Sequence, residues 1–385
     1  RRTRALLDYL SARYPDRDYS GMEAALSELA PLVAKIEEGQ GAVGLQEERL
    51  CFHRLCALRR EIAFSNPLLN FDRILFLKRH RAIYEHMCDQ FYGIAARPGG
   101  GLFVLENAFT DAPVTKDLLA DSVVESGRLA GEKLHGGTAA PDLYYDGEGL
   151  LTEGADAGGG AFLSPDLSFD GTRILFAYVE CRGDKRHKYH REDQANYWKE
   201  PWDPGRAYHL FSVNADGTGL TQLTDGPWND MHPCWLPDGR IVFTSERRGG
   251  FLRCGRVCPT YTLFQMDSAL KEILPFSYHE THEWLPSVDN NGMVVYTRWD
   301  YVDRDSDIAH HLWLVYPDGR DPRGPHGNYP AVRESRPWME MSLRAIPGSH
   351  KYAATAATHH GQFFGSIITI DLHLEDDQST GQIRR

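Results

Sequence analysis

Short apolar strands next to Asp-Gly or Asn-Gly pairs recur along most of this chain. Both pairs tolerate positive φ and favour tight hairpin turns. The flanking runs are rich in β-branched and aromatic residues, which favour strands. Three pairs precede a predicted strand: Asp170-Gly171 before 173–179, Asp238-Gly239 before 240–244, and Asn291-Gly292 before 293–297. Two pairs follow one: Asp216-Gly217 after 208–213, and Asp318-Gly319 after 311–316.

Equivalent turns are spaced by roughly 50–70 residues, the spacing of four-stranded propeller blades that carry insertions. Residues 277–319 contain most of one such unit, and weaker copies lie at 341–372 and 62–107. We therefore predict an all-β fold, a β-propeller of four-stranded blades, six or seven of them in the full-length protein. We expect the propeller to be incomplete at the C-terminus of this chain.

The first 61 residues have a different pattern. Leu6, Leu7 and Leu10, and later Leu26, Leu29 and Val33, recur at the three-to-four-residue spacing of helices. The predicted organisation is a helical leader at 1–61 and the propeller at 62–385. A Gly- and Asp-rich insertion at 111–160 is predicted to be mostly loop.

Composition limits the possible partners. The net charge is −12, and no basic stripe indicates a nucleic-acid partner. No apolar run reaches the roughly 18 residues of a membrane span, so a transmembrane protein is not predicted. Oligomeric state is left open. The chain begins at Arg1 without an initiator Met, so we expect a piece of a longer protein.

The seven cysteines include neither CxxCH nor CxxC, so covalent haem c is not predicted and a zinc ribbon has no motif. Cys254 and Cys258 lie four residues apart in a glycine-containing loop. They fit a disulfide, two metal ligands or two free thiols, and spacing does not choose among these.

The candidate chemistry is concentrated in the long loops. In a propeller blade the loops after the second strand and the loops between blades lie on one face, which we call the long-loop face. Imidazole and thiolate donors there suit a transition metal, with zinc as the first choice. The metal-ligand candidates are His86, Cys88, His279, His282, His310 and His360. Glu280 or Glu283 is the candidate catalytic base. The alternative is that these histidines only brace loops.

Other kinds of site are less well supported. Glu280 with Glu283 also fits a glycosidase carboxylate pair. Asp300, Asp303, Asp305 and Asp307 fit a solvated loop or a weak calcium site, although EF-hand order is missing. GxSxG and HExxH are both absent from the sequence.

Three stretches carry a family resemblance: LSPDLSFDGTRILFAYVE, YHLFSVNADGTGLTQLTDGPWNDMHPCWLPDGRIVFTSERRG and LPSVDNNGMVVYTRWDYVD. They resemble the TolB-like (PD40) propeller repeat. RWDYVDRDSDIAHHLWLVYPDGRDPR and RAIPGSHKYAATAATHHGQFFGSIITIDL are similar to proteins related to the middle domain of the hydrazine synthase alpha subunit. The resemblance covers about residues 62–375.

The resemblance implies an exported, periplasmic or secreted propeller, and this location would favour a Cys254–Cys258 bridge. It also implies haem c and zinc in a true synthase, but this chain lacks CxxCH, and we transfer none of those ligands. Two functions are carried forward. One is a propeller that binds a protein or glycan partner through its long-loop face. The other is a metal-dependent enzyme or oxidoreductase that uses zinc, iron or copper on that face.

Overall fold

The computed structural model describes residues 1–39, 43–82, 86–137, 159–181, 206–252, 258–267, 272–301, 310–326 and 337–374, with the backbone of 383–384. The chain divides into two compact units. The first contains Arg1–Ile74 and Leu105–Thr115, and the second contains Leu75–Val104 and Lys116–Arg385.

Three helices form most of the first unit: α1 (Arg2–Arg13), α2 (Ser20–Glu37) and α3 (Leu45–Phe64). Their apolar stripes supply a small core that includes Leu7, Leu10 and Ile62. Ser20 is the first residue of α2, and its amide donates to the Asp18 carboxylate at 2.9 Å. The predicted helical leader is confirmed. Among the described residues, helices long and apolar enough to cross a membrane are absent.

Within the described residues the strands form four sheets. The first contains β1 (Ile74–Lys78), β2 (Gly101–Glu106) and β3 (Val114–Asp117). The second contains β4 (Gly160–Leu167), β5 (Arg173–Glu180), β6 (His209–Asn214) and β7 (Thr221–Gln222). The third contains β8 (Asp230–Trp235), β9 (Ile241–Ser245), β10 (Thr262–Met266) and β11 (Ile273–Pro275). The fourth contains β12 (Glu283–Val288), β13 (Val294–Trp299), β14 (His310–Val315), β15 (Met339–Ala345), β16 (Lys351–Ala357), β17 (Ile367–Asp371) and β18 (Ile383–Arg384).

Each sheet is a meander in which consecutive strands pair. The seven-stranded sheet is antiparallel except between β14 and β15, where one parallel pair, His310 with Met339, joins two meanders. β8 contacts both β4 and β12, and β12 also contacts β15, so these four strands are the inner edges of successive blades. The predicted β-propeller is confirmed.

The inner strands share an irregularity that the repeat analysis did not use. Each has a register shift, and each shift contains a non-glycine residue with positive φ: Ser164, His232, Leu285 and Ser342. Proline follows the first three of these residues. A bulge of this kind bends a strand and re-aims its side chains. The bulges therefore turn different residues toward the centre of the ring at the two ends of each inner strand.

Buried carboxylates join neighbouring blades. Glu283 of β12 accepts hydrogen bonds from the Leu263 amide of β10 at 2.9 Å and from the Ser277 hydroxyl at 2.8 Å. Glu340 of β15 lies 2.8 Å from His326 Nε2 and accepts a longer bond from the Leu312 amide of β14. Burial raises the pKa of Glu283 to about 7. These two side chains link β12 and β15 to the strands and loops that precede them.

Candidate metal centre

Residues 86–96 form a buried segment on the long-loop face, between β1 and β2. We call it the axial segment. The Tyr92 hydroxyl donates to the Pro259 carbonyl, the Gly93 amide donates to Asn229 Oδ1 at 2.9 Å, and Arg206 Nη2 donates to the Ala96 carbonyl at 2.8 Å. Three loops, which belong to the second and third sheets, therefore hold this segment in place.

A polar network lies beneath the axial segment. Asn229 Oδ1 also accepts a hydrogen bond from the Tyr208 amide, at 2.9 Å. Glu246 accepts from the Asn229 amide at 3.0 Å and from Asn229 Nδ2 at 3.1 Å. Burial raises the pKa of Glu246 to about 8 in spite of these bonds. The position of the axial segment thus depends on a carboxyl group that titrates near neutral pH.

Cys88, Cys258 and His282 meet in the buried core of this face. One potential ligand atom from each lies within 4.8 Å of the other two. Cys88 belongs to the axial segment and Cys258 to the loop between β9 and β10. His282 directly precedes β12. Two thiols and one imidazole are a donor set that zinc takes in proteins. Three segments far apart in sequence therefore converge on one possible ion.

The His282 ring is held in position and kept neutral. It stacks on Tyr261, with the ring centroids 3.8 Å apart and an interplanar angle of 9°. Its Nδ1 accepts a long bond, 3.3 Å, from the Tyr261 amide, while its buried Nε2 has no hydrogen-bond partner. Burial, with the nearby His86 and His279, lowers the pKa of His282 well below 6.5. Neutral imidazole is the form that binds metals.

Aromatic side chains surround the three donors. Trp284 Nε1 donates to the Tyr261 hydroxyl at 2.5 Å, and that hydroxyl donates to the Cys88 carbonyl at 3.3 Å. Trp284 and Trp299 are fully buried beside His282. Water has little access to this shell, so an unpartnered nitrogen there is costly unless a ligand meets it.

The other predicted ligands form two arrangements. His86, His360, His359 and His310 form a row of rings with successive centroid distances of 5.5, 4.3 and 4.9 Å. His279 is separate. Its Nε2 lies within hydrogen-bond distance, 2.6 Å, of the Trp299 carbonyl oxygen. Of the six predicted ligands, Cys88 and His282 belong to the three-donor group.

The predicted bases lie elsewhere. Glu280 is exposed in the loop before β12. Glu283 is buried, but alternation along a strand directs it away from the side that His282 and Trp284 share. Cys254 and Asp303, Asp305 and Asp307 lie outside the described residues. The proposed Cys254–Cys258 bridge and the weak calcium site stay predictions.

From the sequence, Cys258 was a candidate ligand or bridge only together with Cys254. The available signal was its place in a long loop after a second strand, the same kind of loop that contains Cys88. The position of a cysteine in such a loop predicts the face of the propeller on which it lies. It does not predict which other ligands the cysteine meets, because that depends on the conformations of the loops.

A second group of donors lies near the end of the chain. His350, Asp371 and His373 offer ligand atoms within 4.8 Å of one another, but the two histidines are exposed. Asp371 already pairs with His350 at 2.9 Å and with Lys351 at 3.3 Å. This group serves below as a control for adventitious metal.

Comparison with known proteins supports the fold. No family model matches the sequence, and no curated protein matches it. Hydrazine synthase from Kuenenia stuttgartiensis has a similar structure, with a TM-score of 0.51 and 13% identity over 82% of this chain and 39% of that chain. TolB from Acinetobacter baumannii gives 0.41 and 12% over 78% and 51%. A puromycin hydrolase gives 0.38 and 15% over 81% and 35%.

This chain spans about two fifths of that hydrazine synthase chain and about half of the TolB chain. At 13% identity the likeness to that hydrazine synthase shows the fold alone, because one fold carries many functions.

Proposed function

We propose that this chain binds one transition-metal ion, zinc by preference, through Cys88, Cys258 and His282. The observation that supports it most directly is the convergence of Cys88 and Cys258 on His282, a buried histidine whose Nε2 has no hydrogen-bond partner. Softer thiolate ligands favour zinc over magnesium or calcium.

The free energy lost in preparing His282 to bind zinc is small beside the free energy of zinc binding. Ligation through Nε2 would move the ring proton to Nδ1 and break the long bond from the Tyr261 amide, a loss of about 1 kcal/mol. Structural zinc sites bind with about 10–16 kcal/mol. The stacking of His282 on Tyr261 keeps the ring in place during this exchange.

Among the described residues three protein ligands converge, which leaves a fourth coordination position, as in catalytic zinc sites. Zinc bound there would lower the pKa of a water ligand to about 7. We therefore propose a metal-dependent enzyme whose aromatic shell excludes bulk water. Export, which the TolB-like resemblance implies, stays part of this proposal, and fractionation of producing cells would check it.

Metal content tests the proposal directly. Protein purified without a metal-affinity tag should contain about one equivalent of zinc, because the three donors form one site. Cys258→Ser and His282→Ala should each lose it. His373→Ala is the matched control, since it removes an imidazole from the exposed group and should leave the zinc in place. Zinc retained in His282→Ala would contradict the assignment, as would a wild type that takes up none from zinc-containing buffer.

A partner-binding role is the second candidate, and exposed aromatic residues support it. Trp228, Tyr278 and Trp338 each lie shortly before an inner strand, in loops that enter the long-loop face. Their exposed fractions are 38%, 86% and 48%. Exposed aromatic residues at equivalent positions are typical of surfaces that bind peptides or sugars.

Peptide and glycan arrays test this second role. A ligand bound by the wild type should lose at least about tenfold in affinity with Tyr278→Ala, because interface aromatics often carry 1 kcal/mol or more. Phe169→Ala is the control: this side chain is also exposed, at 67%, but lies in the β4–β5 turn at the other end of the blade. Equal losses in both variants would count against a specific surface.

A further inference from the structure

A cavity of about 330 Å³ lies at the inner strands of the propeller, next to the axial segment. The bulge residues Leu285 and Ser342 line one wall, and Arg79, His80 and Arg81, after β1, line another. Gln90 and Phe91 of the axial segment close one end. The volume is at the low end for small-molecule sites, so a compact ligand would fit.

The lining is basic although the protein is acidic. The chain has a net charge of −12, but the described residues that line this cavity include two arginines and one histidine and neither Asp nor Glu. Among the described residues, Arg79 donates to the backbone carbonyls of Gln90 at 3.3 Å and His80 at 3.5 Å. No carboxylate lies within ion-pairing distance of Arg79 among the described residues.

The positive charge of Arg79 affects the pKa of a buried side chain. Burial first, and Arg79 second, lowers the pKa of His232 to about 3. Burial and the neighbouring Arg81 likewise lower the pKa of Arg97. Positive charge therefore gathers at this end of the cavity without a matching acidic side chain in its lining.

Further features indicate what kind of anion would fit. The amide Nε2 of Gln362, which lines the cavity, is buried and has no hydrogen-bond partner. Phe91 and Phe363 lie 5.1 Å apart between ring centroids, and Phe364 adds an exposed ring. The wall thus combines hydrogen-bond donors for an oxyanion with aromatic surface for an apolar body.

We propose that this cavity binds a small aromatic carboxylate, with its carboxylate at Arg79 and Gln362 and its ring against Phe91 and Phe363. Arginine suits this role because its planar guanidinium can donate two parallel hydrogen bonds to one carboxylate. The inference does not depend on a metal at Cys88, Cys258 and His282.

A larger hollow, about 650 Å³, lies in the helical unit, but its arginines are already engaged. Arg54 pairs with Glu28 at 2.7 Å, and Arg60 donates to the Thr110 carbonyl at 2.7 Å. The cavity at the inner strands differs because Arg79 has no acidic partner, and Gln362 Nε2 has no hydrogen-bond partner, among the described residues.

Calorimetric titration with benzoate, and with its neutral isostere benzamide, tests the proposal on the full chain. Benzoate should bind saturably and at least about tenfold more tightly than benzamide, since hydrogen bonds to charged groups are worth about 1.5–3 kcal/mol. Arg79→Gln should abolish that preference. Arg320→Gln is the control, because it removes the same charge from an exposed turn where Arg320 pairs with Asp318.

A second variant separates ligand binding from folding. Gln362→Leu removes a side chain whose amide nitrogen has no partner, so the fold should persist while benzoate affinity falls severalfold. Equal affinities for benzoate and benzamide would overturn the proposal. So would unchanged benzoate binding in Arg79→Gln, whatever the metal content of the protein.

Discussion

Zinc at about 1,000 times its Kd should raise the free energy of unfolding of the metal-free protein by about 4 kcal/mol. The reason is that Cys88, Cys258 and His282 meet only in the folded chain, being separated by 170 and 24 residues. Zinc binding to unfolded thiols would reduce the gain. Urea unfolding after removal of metal, with and without added zinc, measures it.

Two variants make this prediction specific. His282→Ala should lose most of the zinc-dependent gain, because the remaining thiols offer only two ligands. His373→Ala should retain it, because that residue belongs to the exposed group. If zinc stabilises His282→Ala as much as the wild type, the ion binds elsewhere and the proposed centre is wrong.

The second large effect is a fall in stability as pH rises from 6.5 to 8. Burial raises the pKa of Glu246 to about 8 and that of Glu283 to about 7, both from an ordinary 4.5. Between 4.5 and these values the folded chain holds protons that the unfolded chain has lost, so stability falls as pH rises. Glu246 alone should contribute a loss of about 2 kcal/mol between pH 6.5 and 8.

The pH range above 6.5 is chosen because the buried imidazoles of His209, His232 and His282 make stability fall as pH decreases below 6.5. Burial lowers the pKa of His209, His232 and His282, so their contribution to stability is lost as pH falls below 6.5. Unfolded histidines are half protonated at pH 6.5 and still add a small opposing slope above it, which the comparison of the wild type with Glu246→Gln cancels.

Glu246→Gln should remove most of the decrease in unfolding free energy between pH 6.5 and 8. Its absolute stability should also fall, since an amide nitrogen would then face one of the Asn229 donors, so the slope is the informative quantity. Glu132→Gln is the matched control, because Glu132 is exposed. A slope in Glu246→Gln as steep as in the wild type would show that the Glu246 carboxyl is already ionised at pH 6.5.

The strands were predictable because their signals are local. The expected strand at 173–179 is observed at Arg173–Glu180, and the expected strand at 240–244 is observed at Ile241–Ser245. Turn residues with positive φ, Gly171 and Gly239 among them, fix where each hairpin reverses. Alternation and turn chemistry act over a few residues, so one sequence suffices to read them.

The bulges on the inner strands were not predicted, although Leu-Ser-Pro, Met-His-Pro and Trp-Leu-Pro recur at them. A positive φ at Leu285 is uncommon for such a residue and persists only when the surrounding structure enforces it. The packing of inner strands against one another supplies that constraint, and it involves blades about 50–70 residues apart.

The sequence by itself determined the strands and the propeller fold, because turn residues and alternation are local properties. Only the tertiary structure decided that Cys258 meets Cys88 and His282, and that Glu283 links blades away from that group. It alone placed Arg79 in a cavity whose lining has no acidic side chain. These outcomes depend on how long loops from different blades fold over one another, which spacing along the chain does not encode.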